Sequence, residues 1–225
     1  MSDNFNKLGA NSFSVRPLSE TLKSNDNGRN RKEAEPIVFD QAMSFKENYQ
    51  YGASRVSIES FCSGDATIKH GDKKTNPTVR VVGIDENYMN TSAYEIIAGR
   101  NFTNNEIMAT ANKVIIGSEI VQSLFQDKPE KAIGKDLYIN SDKYMIVGAL
   151  KSKGSNSGGS NDRRVFIPLY NSKVQYGYAD KSYNVTVAVA QPNEMEDAIN
   201  HAISIMRNVR KLKVSEENDF ELRKS

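Results

Sequence analysis

Few residues in this chain have the type and spacing that chemistry requires. Cys62 is the only cysteine, and His70 and His201 are the only histidines. A single thiol forms no internal disulfide and no cysteine-based zinc site, and two histidines are too few for a histidine-rich metal site. Cys62 has no accompanying His/Asn signature and reads as a small, buried or half-buried side chain. His70 lies near a turn and is expected to be solvated, whereas His201 sits off the apolar stripe of its helix. Asp40, Asp65, Asp72 and Asp85 have no spacing that would pair them for acid–base work. Ser57, Ser60 and Ser63 lie outside any G-x-S-x-G elbow. The stretch Gly154 to Gly159 lacks the G-x-x-x-x-G-K-S/T spacing and has no helix directly behind it, so it reads as a loop rather than a phosphate cradle. No residue is therefore assigned a catalytic, cofactor-binding or metal-binding role, and the surface that meets a partner or substrate is left unassigned.

Other chemistry-bearing groups have structural readings. Lys73-Lys74 is a short basic run, and Arg207 to Lys213 forms the basic end of a helix, where the dipole favours cations. Attraction to anionic lipid heads or to an acidic partner is the alternative for these runs. The triplets at Asn90, Asn101 and Asn184 fit a glycosylation pattern that also arises by chance. Tyr170, Tyr176, Tyr178 and Tyr183 cluster in sequence and are expected in an aromatic core in preference to a contact surface.

The elements that carry these residues alternate between strand and helix. Phe13 and Val15 mark a strand ended by Pro17, and Ile37 to Phe45 carries the stripe of a helix from Asp40 to Tyr49. Arg55 to Phe61 reads as a strand. Ala66 to His70 and Thr78 to Ile84 read as a hairpin turned by Gly71 to Lys74. Tyr94, Ile96 and Ile97 lead to Gly99, read as a helix C-cap. Thr103 and Glu106 have capping-box spacing. Lys113 to Gly117 is a strand, and Ser118 is expected to cap the helix holding Ile120, Val121, Leu124 and Phe125. Leu137 to Ile139 and Tyr144 to Leu150 pair across Asn140 to Asp142. Lys151 to Asn161 has a linker composition, and Arg164 to Leu169 is a strand. Tyr183 to Ala190 alternates strictly. Asn193 and Glu196 predict the start of a helix striped by Met195, Ala198, Ile199, Ala202, Ile203 and Met206, and a last strand runs through Phe220 and Leu222.

The 225 residues carry 30 basic and 28 acidic side chains, a balance that does not imply a nucleic-acid partner. Hydrophobic residues make up 38%, enough for a core with substantial loops. No apolar run approaches the roughly 18 residues of a membrane span, and Met1 to Leu8 lacks the apolar region of a signal peptide. The chain is thus expected to be cytosolic or a soluble piece of a larger membrane protein. The pattern predicts an α+β fold of two subdomains. A βαβ subdomain uses both chain ends, residues 1–82 and 162–225, and a β-rich subdomain, residues 83–161, is inserted in it.

Several phrases in order resemble one family. Phe5 to Val15 looks like a stretch that follows a first membrane helix. Val82-Gly83-Ile84-Asp85 with Tyr88 is similar to V-x-G-V-x-x-x-Y, and Ala98-Gly99-Arg100-Asn101-Phe102 to x-G-R-x-F. Val114 to Gly117 with Leu124-Phe125 resembles V-x-V-I-G followed by L-F. Ile133-Gly134-Lys135, Val147-Gly148 and Val165-Phe166-Ile167-Pro168-Leu169 continue the series, and Asp219-Phe220 resembles the phrase before a second membrane helix. The family is the extracytoplasmic domain of MacB/FtsX-type ABC-transporter permeases. The loop Ser19 to Glu35 has no counterpart phrase.

The resemblance implies a non-enzymatic domain on the periplasmic side of the bacterial inner membrane, with a porter-like subdomain from both ends and an inserted sabre-like one. It implies contact with partner proteins or substrate in efflux, export or mechanotransmission, with no cofactor of its own. Its implied partners are a second permease protomer, a periplasmic adaptor (membrane-fusion) protein or lipoprotein, and an ATPase on the cytoplasmic side. Two other readings stay open. One is a soluble solute-binding module. The other is an unrelated enzyme with its site on the Gly99 or Gly154 loops.

Overall fold

A computed structural model describes residues 11–18, 34–154 and 161–225. The Ser19 to Glu35 loop, the Gly154 to Gly159 stretch and the first phrase of the resemblance lie largely outside these residues. The strands are β1 (Ser12–Pro17), β2 (Arg55–Ala66), β3 (Ile68–His70), β4 (Lys73–Lys74), β5 (Val79–Ile84), β6 (Ile96–Gly99), β7 (Lys113–Ile116), β8 (Asp136–Ile139), β9 (Asp142–Leu150), β10 (Arg164–Pro168), β11 (Asn184–Ala188) and β12 (Phe220–Lys224). The helices are α1 (Phe39–Asn48), α2 (Tyr88–Thr91), α3 (Asn104–Ile107), α4 (Ser118–Phe125), α5 (Pro129–Ala132), α6 (Leu169–Tyr176) and α7 (Met195–Val209).

The chain divides into two compact units. The first takes the chain up to Ile58 together with Tyr178–Ser225, and the second is Glu59–Gly177. The sequence-based division fell instead at residues 82/83 and 161/162. The difference has a physical origin in β5 and β10. They pair in parallel, Val81 opposite Val165 and Gly83 opposite Ile167, so β10 and most of β5, which that division placed with the chain ends, belong to the core of the second unit.

In the first unit the strand order is β12-β1-β11-β2. β1 pairs antiparallel with both β11 and β12. With α1 after β1 and α7 after β11, the unit is a split β-α-β-β-α-β arrangement, and the second unit is inserted between its second and third strands. Tyr183, Val185, Val187 and Val189 are all buried, as their alternation requires, and Phe13 and Val15 are fully buried beside them. α7 buries Ala198, Ala202 and Met206, which recur every four residues on one face. α1 supplies Phe39, Ala42 and Phe45. Tyr49 then stacks on Phe45 at 5.3 Å and donates from its hydroxyl to the Ala198 carbonyl at 3.0 Å, joining the two helices. The expected capping box at Asn193 and Glu196 does not form. Pro192–Glu194 makes a tight 3-10 turn, and α7 starts from Glu194 without a side-chain cap.

In the second unit the order is β2-β5-β10-β7-β9-β8-β3-β4, with β6 on β9. β7 and β9 are parallel, and β8 and β9 form the antiparallel pair read from the sequence. Val79, Val81, Val82 and Ile84 are all buried, so β5 carries apolar side chains on both faces and needs neighbours on both edges. It therefore pairs with β2 and β10, and the expected hairpin between residues 66–70 and 78–84 is not made. The turn at Gly71 instead returns only Lys73–Lys74, and β3 takes β8 as its other neighbour.

Residues Ile96–Gly99 are a strand on β9 and not a helix end. Gly99 has the positive φ of +71° that a C-cap also shows, so the local signal was right and its context was not. α4 is capped one residue earlier than expected. Gly117 is the cap residue, and the Asp162 carbonyl accepts from the Glu119 amide at 3.1 Å.

Candidate functional site

The phrase Ala98 to Thr103 is built as a clamp. Gly99 comes so close to β9 that a Cβ there would lie 2.1 Å from the Val147 carbonyl oxygen. The next residue, Arg100, donates its amide to that same carbonyl at 2.9 Å. Its guanidinium then forks onto Glu106, with Nη1 at 2.6 Å from Oε1 and Nη2 at 3.2 Å from Oε2. Thr103 accepts from the Glu106 amide at 3.2 Å, while Glu106 Oε1 accepts from the Thr103 amide at 3.0 Å, which completes the predicted capping box of α3. The Arg100 fork, with help from the Thr103 amide, holds the Glu106 carboxyl down to about 2 despite partial burial. Asn101 ties the same stretch to the preceding turn, its side-chain amide donating to the Glu86 carbonyl at 3.1 Å. The Gly99 loop thus has the chemistry of a brace.

The base of the second glycine-containing loop is held by Asp162. Its carboxylate accepts from the Ser152 hydroxyl at 2.7 Å and from the Lys153 amide at 2.8 Å. Burial works against its charge, but these donors with the Gly154 amide and Ser118 outweigh that and hold its carboxyl below the usual range. Lys153 lies over the Tyr94 ring at 4.0 Å, and burial lowers its ammonium pKa.

The other chemistry-bearing residues are dispersed. His70, in the second unit, faces Phe125 with ring centroids 4.5 Å apart, and His201, in the first, packs against Tyr49 at 5.0 Å. Cys62 is half-buried and packs against the core of the second unit. Ser57 and Ser60 are buried, and Ser63 bonds Asp65 at 2.8 Å. Asp85 is buried, and its carboxylate accepts from the Asn87 amide at 3.1 Å. The tyrosines separate: Tyr183 is core, Tyr176 packs partly on the core, and Tyr178 is 70% exposed. Among the described residues no group of three or more His, Cys, Asp or Glu is placed to hold a metal ion. No helix of the described residues is long and apolar enough to cross a membrane.

Two side-chain assemblies were missed in the sequence. Asn171, fully buried on α6, accepts from Tyr144 at 2.7 Å and donates to the Asn112 side chain at 2.7 Å, joining three segments far apart in the chain. In the first unit, Arg210 lies 3.4 Å from Asp219 with both side chains nearly buried, and it also donates to the Pro36 carbonyl at 2.8 Å. Neither has a local sequence signal. The Arg100–Glu106 fork did have one, an arginine just ahead of a capping box.

The remaining special feature is the pairing of the sequence extremes. β12 runs antiparallel to β1 with Val15 opposite Leu222 and Phe13 opposite Lys224, and the Ser225 amide donates to the Ser12 carbonyl at 3.0 Å. Any chain leading into β1 and any chain leading out of β12 therefore meet the first unit at one end of the same strand pair.

Comparison with known proteins gives this geometry its setting. A family model described as the MacB-like periplasmic core domain matches residues 1–204. The macrolide export ATP-binding/permease protein MacB of Chlorobium phaeobacteroides is 29% identical over 158 residues, covering 69% of this chain and 23% of that protein. The uncharacterized ABC transporter permease YknZ of Bacillus subtilis is 28% identical over 140 residues, 62% of this chain and 34% of that one. The chain thus spans between about a quarter and a third of the length of these relatives. Among solved structures, the periplasmic region of MacB from Actinobacillus actinomycetemcomitans matches with a TM-score of 0.70 at 13% identity, covering 99% of this chain and 92% of that one. The extracellular domain of the YknZ transporter matches at 0.67 with 17% identity, covering 95% of this chain and 100% of that one. These matches show a shared mixed α+β fold.

Proposed function

The chain belongs to the MacB-like periplasmic core domain family, and we propose that it serves an ABC-transporter permease as the extracytoplasmic module that contacts partner or cargo and passes on motion, while ATP is hydrolysed elsewhere. The observation that carries this reading is the pairing of β1 with β12. A domain that interrupts a membrane protein between two helices must return its exit close to its entry, and this strand pair does so. The first unit, which contains both strands, takes the porter-like role, and the inserted Glu59–Gly177 unit takes the sabre-like one.

The side chains favour a mechanical over a catalytic role. The strongest polar groups are spent on bracing: Glu106 on Arg100, Asp162 on the Ser152 turn, Asn171 on Tyr144. A second permease protomer, an adaptor or lipoprotein on the outer side, and an ATPase on the cytoplasmic side complete the proposed assembly. Relatives named as ATP-binding/permease proteins support the last of these.

The test uses the full-length transporter, with residues 11–225 replaced by a short flexible linker. Basal ATP hydrolysis in proteoliposomes is expected to persist while export in cells is lost. Export that survives the replacement would remove the module from the transport cycle, and loss of ATP hydrolysis in a correctly inserted protein would overturn the separation of roles.

A further inference from the structure

An open cleft of about 360 Å³ lies in the second unit between the β3–β4 turn and the end of α4, a volume within the range of small-ligand sites. Leu124 and Phe125 form its apolar wall, and Lys73 from β4 and Lys131 and Lys135 from the α5–β8 stretch line it. All three lysines are exposed. None of them enters an ion pair among the described residues. Asp72 is the one acidic residue in the lining.

Compensation of the α4 C-terminus does not account for this charge. A helix end presents about half a negative charge, and Asp72 adds one more, which leaves an excess of roughly one and a half positive charges. His70 also lines the cleft. Its Nδ1 lies 2.7 Å from the Asp136 carbonyl, which only accepts, so Nδ1 carries the hydrogen. The ring itself packs on Phe125.

We propose that this cleft binds a small amphipathic anion, its phosphate or carboxylate head held by Lys73, Lys131 and Lys135 and its apolar body resting on Phe125 and Leu124. Lysine acts on such a head as a flexible point charge, which suits an open site that accepts more than one geometry.

Amide NMR of the ¹⁵N-labelled 225-residue chain tests it. Hexyl phosphate, which carries both parts, is expected to give saturable shifts at Gly71, Gln126 and Lys135, and inorganic phosphate the same shifts with weaker binding. The Lys73→Gln/Lys131→Gln/Lys135→Gln variant should keep a native spectrum, because these side chains are exposed. Its affinity for hexyl phosphate should fall roughly ten- to a hundredfold. Vesicles containing phosphatidylglycerol form the other arm. Lysine-dependent association with vesicles would make a lipid head group the source of the anion, and hexyl phosphate binding without it would make the source a free small molecule. Equal affinity for hexyl and inorganic phosphate would overturn the apolar half of the assignment. Shifts scattered over the surface, no saturable shift in any arm, or an unchanged affinity in the lysine variant would overturn the site.

Discussion

Val15 and Leu222 face each other on neighbouring antiparallel strands, although one lies near the start of the chain and the other near its end. Their pairing makes the first unit depend on contacts between distant segments. Phe13, fully buried on the same strand, anchors that unit. Phe13→Ala is expected to destabilise the first unit by ~3–5 kcal/mol, the usual result of emptying a buried aromatic position. Urea unfolding followed by amide exchange should show the loss in residues 11–58 and 178–225. A change below ~1 kcal/mol would contradict the core role of β1.

Acid should weaken the clamp at a defined place. Glu106 is held at about 2 in the folded chain against an ordinary value of 4.5. A depressed carboxyl stabilises the fold above its unfolded value, and the contribution disappears as pH falls from 4.5 toward 2. Side-chain NMR should show Glu106 titrating near 2, and Arg100→Gln should move it back toward the ordinary range. An unmoved titration in that variant would show that the fork is not the cause.

Two glycines with positive φ should respond differently to a methyl group. At Gly134 the φ is +81° but a Cβ would meet nothing within 4 Å. Gly134→Ala therefore costs only the conformational penalty, ~1–2 kcal/mol. At Gly99 the methyl would also overlap the Val147 carbonyl, so Gly99→Ala should cost at least ~3 kcal/mol. Equal thermal shifts for the two variants would refute the close approach.

The buried pair at the end of α7 should be unequal to its parts. Removing Arg210 alone leaves Asp219 buried with its main cation gone, and Arg210→Met should cost ~3–5 kcal/mol. Replacing both, with Asp219→Leu added, should recover a large share of that loss, because no buried charge is then stranded. A double-mutant cycle decides the point, and strictly additive losses would count against the pairing.

How much of this was readable in the residues depends on how local each signal is. The alternation from Tyr183 to Val189, the four-residue stripe of α7 and the Thr103–Glu106 box are each complete within one element, and each except the start of α7 appears as expected. Strand partners are chosen across the whole unit, so β5 took β10 and β2 in place of the nearer β3. α6 was missed because its sequence LYNSKVQY lacks an apolar stripe and is held by polar contacts of Asn171 and Ser172. The resemblance supplied what periodicity did not: glycines such as Gly99 and Gly83 are motif residues because neighbouring atoms leave no room for a Cβ, Ser172 Oγ standing 2.1 Å from where that of Gly83 would be.

The insertion of one unit inside the other also sets an order of assembly as the chain is made. Glu59–Gly177 is one unbroken stretch and can fold as soon as it has emerged. β1, α1 and the start of β2 have emerged earlier, yet they lack β11, α7 and β12 until the stretch after Gly177 has followed. Their buried faces, including Phe13, Phe39 and Phe45, must wait in the open while the later unit matures. Nascent chains arrested after Gly177 should therefore show a protease-resistant core that begins near Glu59, with everything before it digested. That earlier segment is the part of the molecule for which a chaperone has the longest time to act.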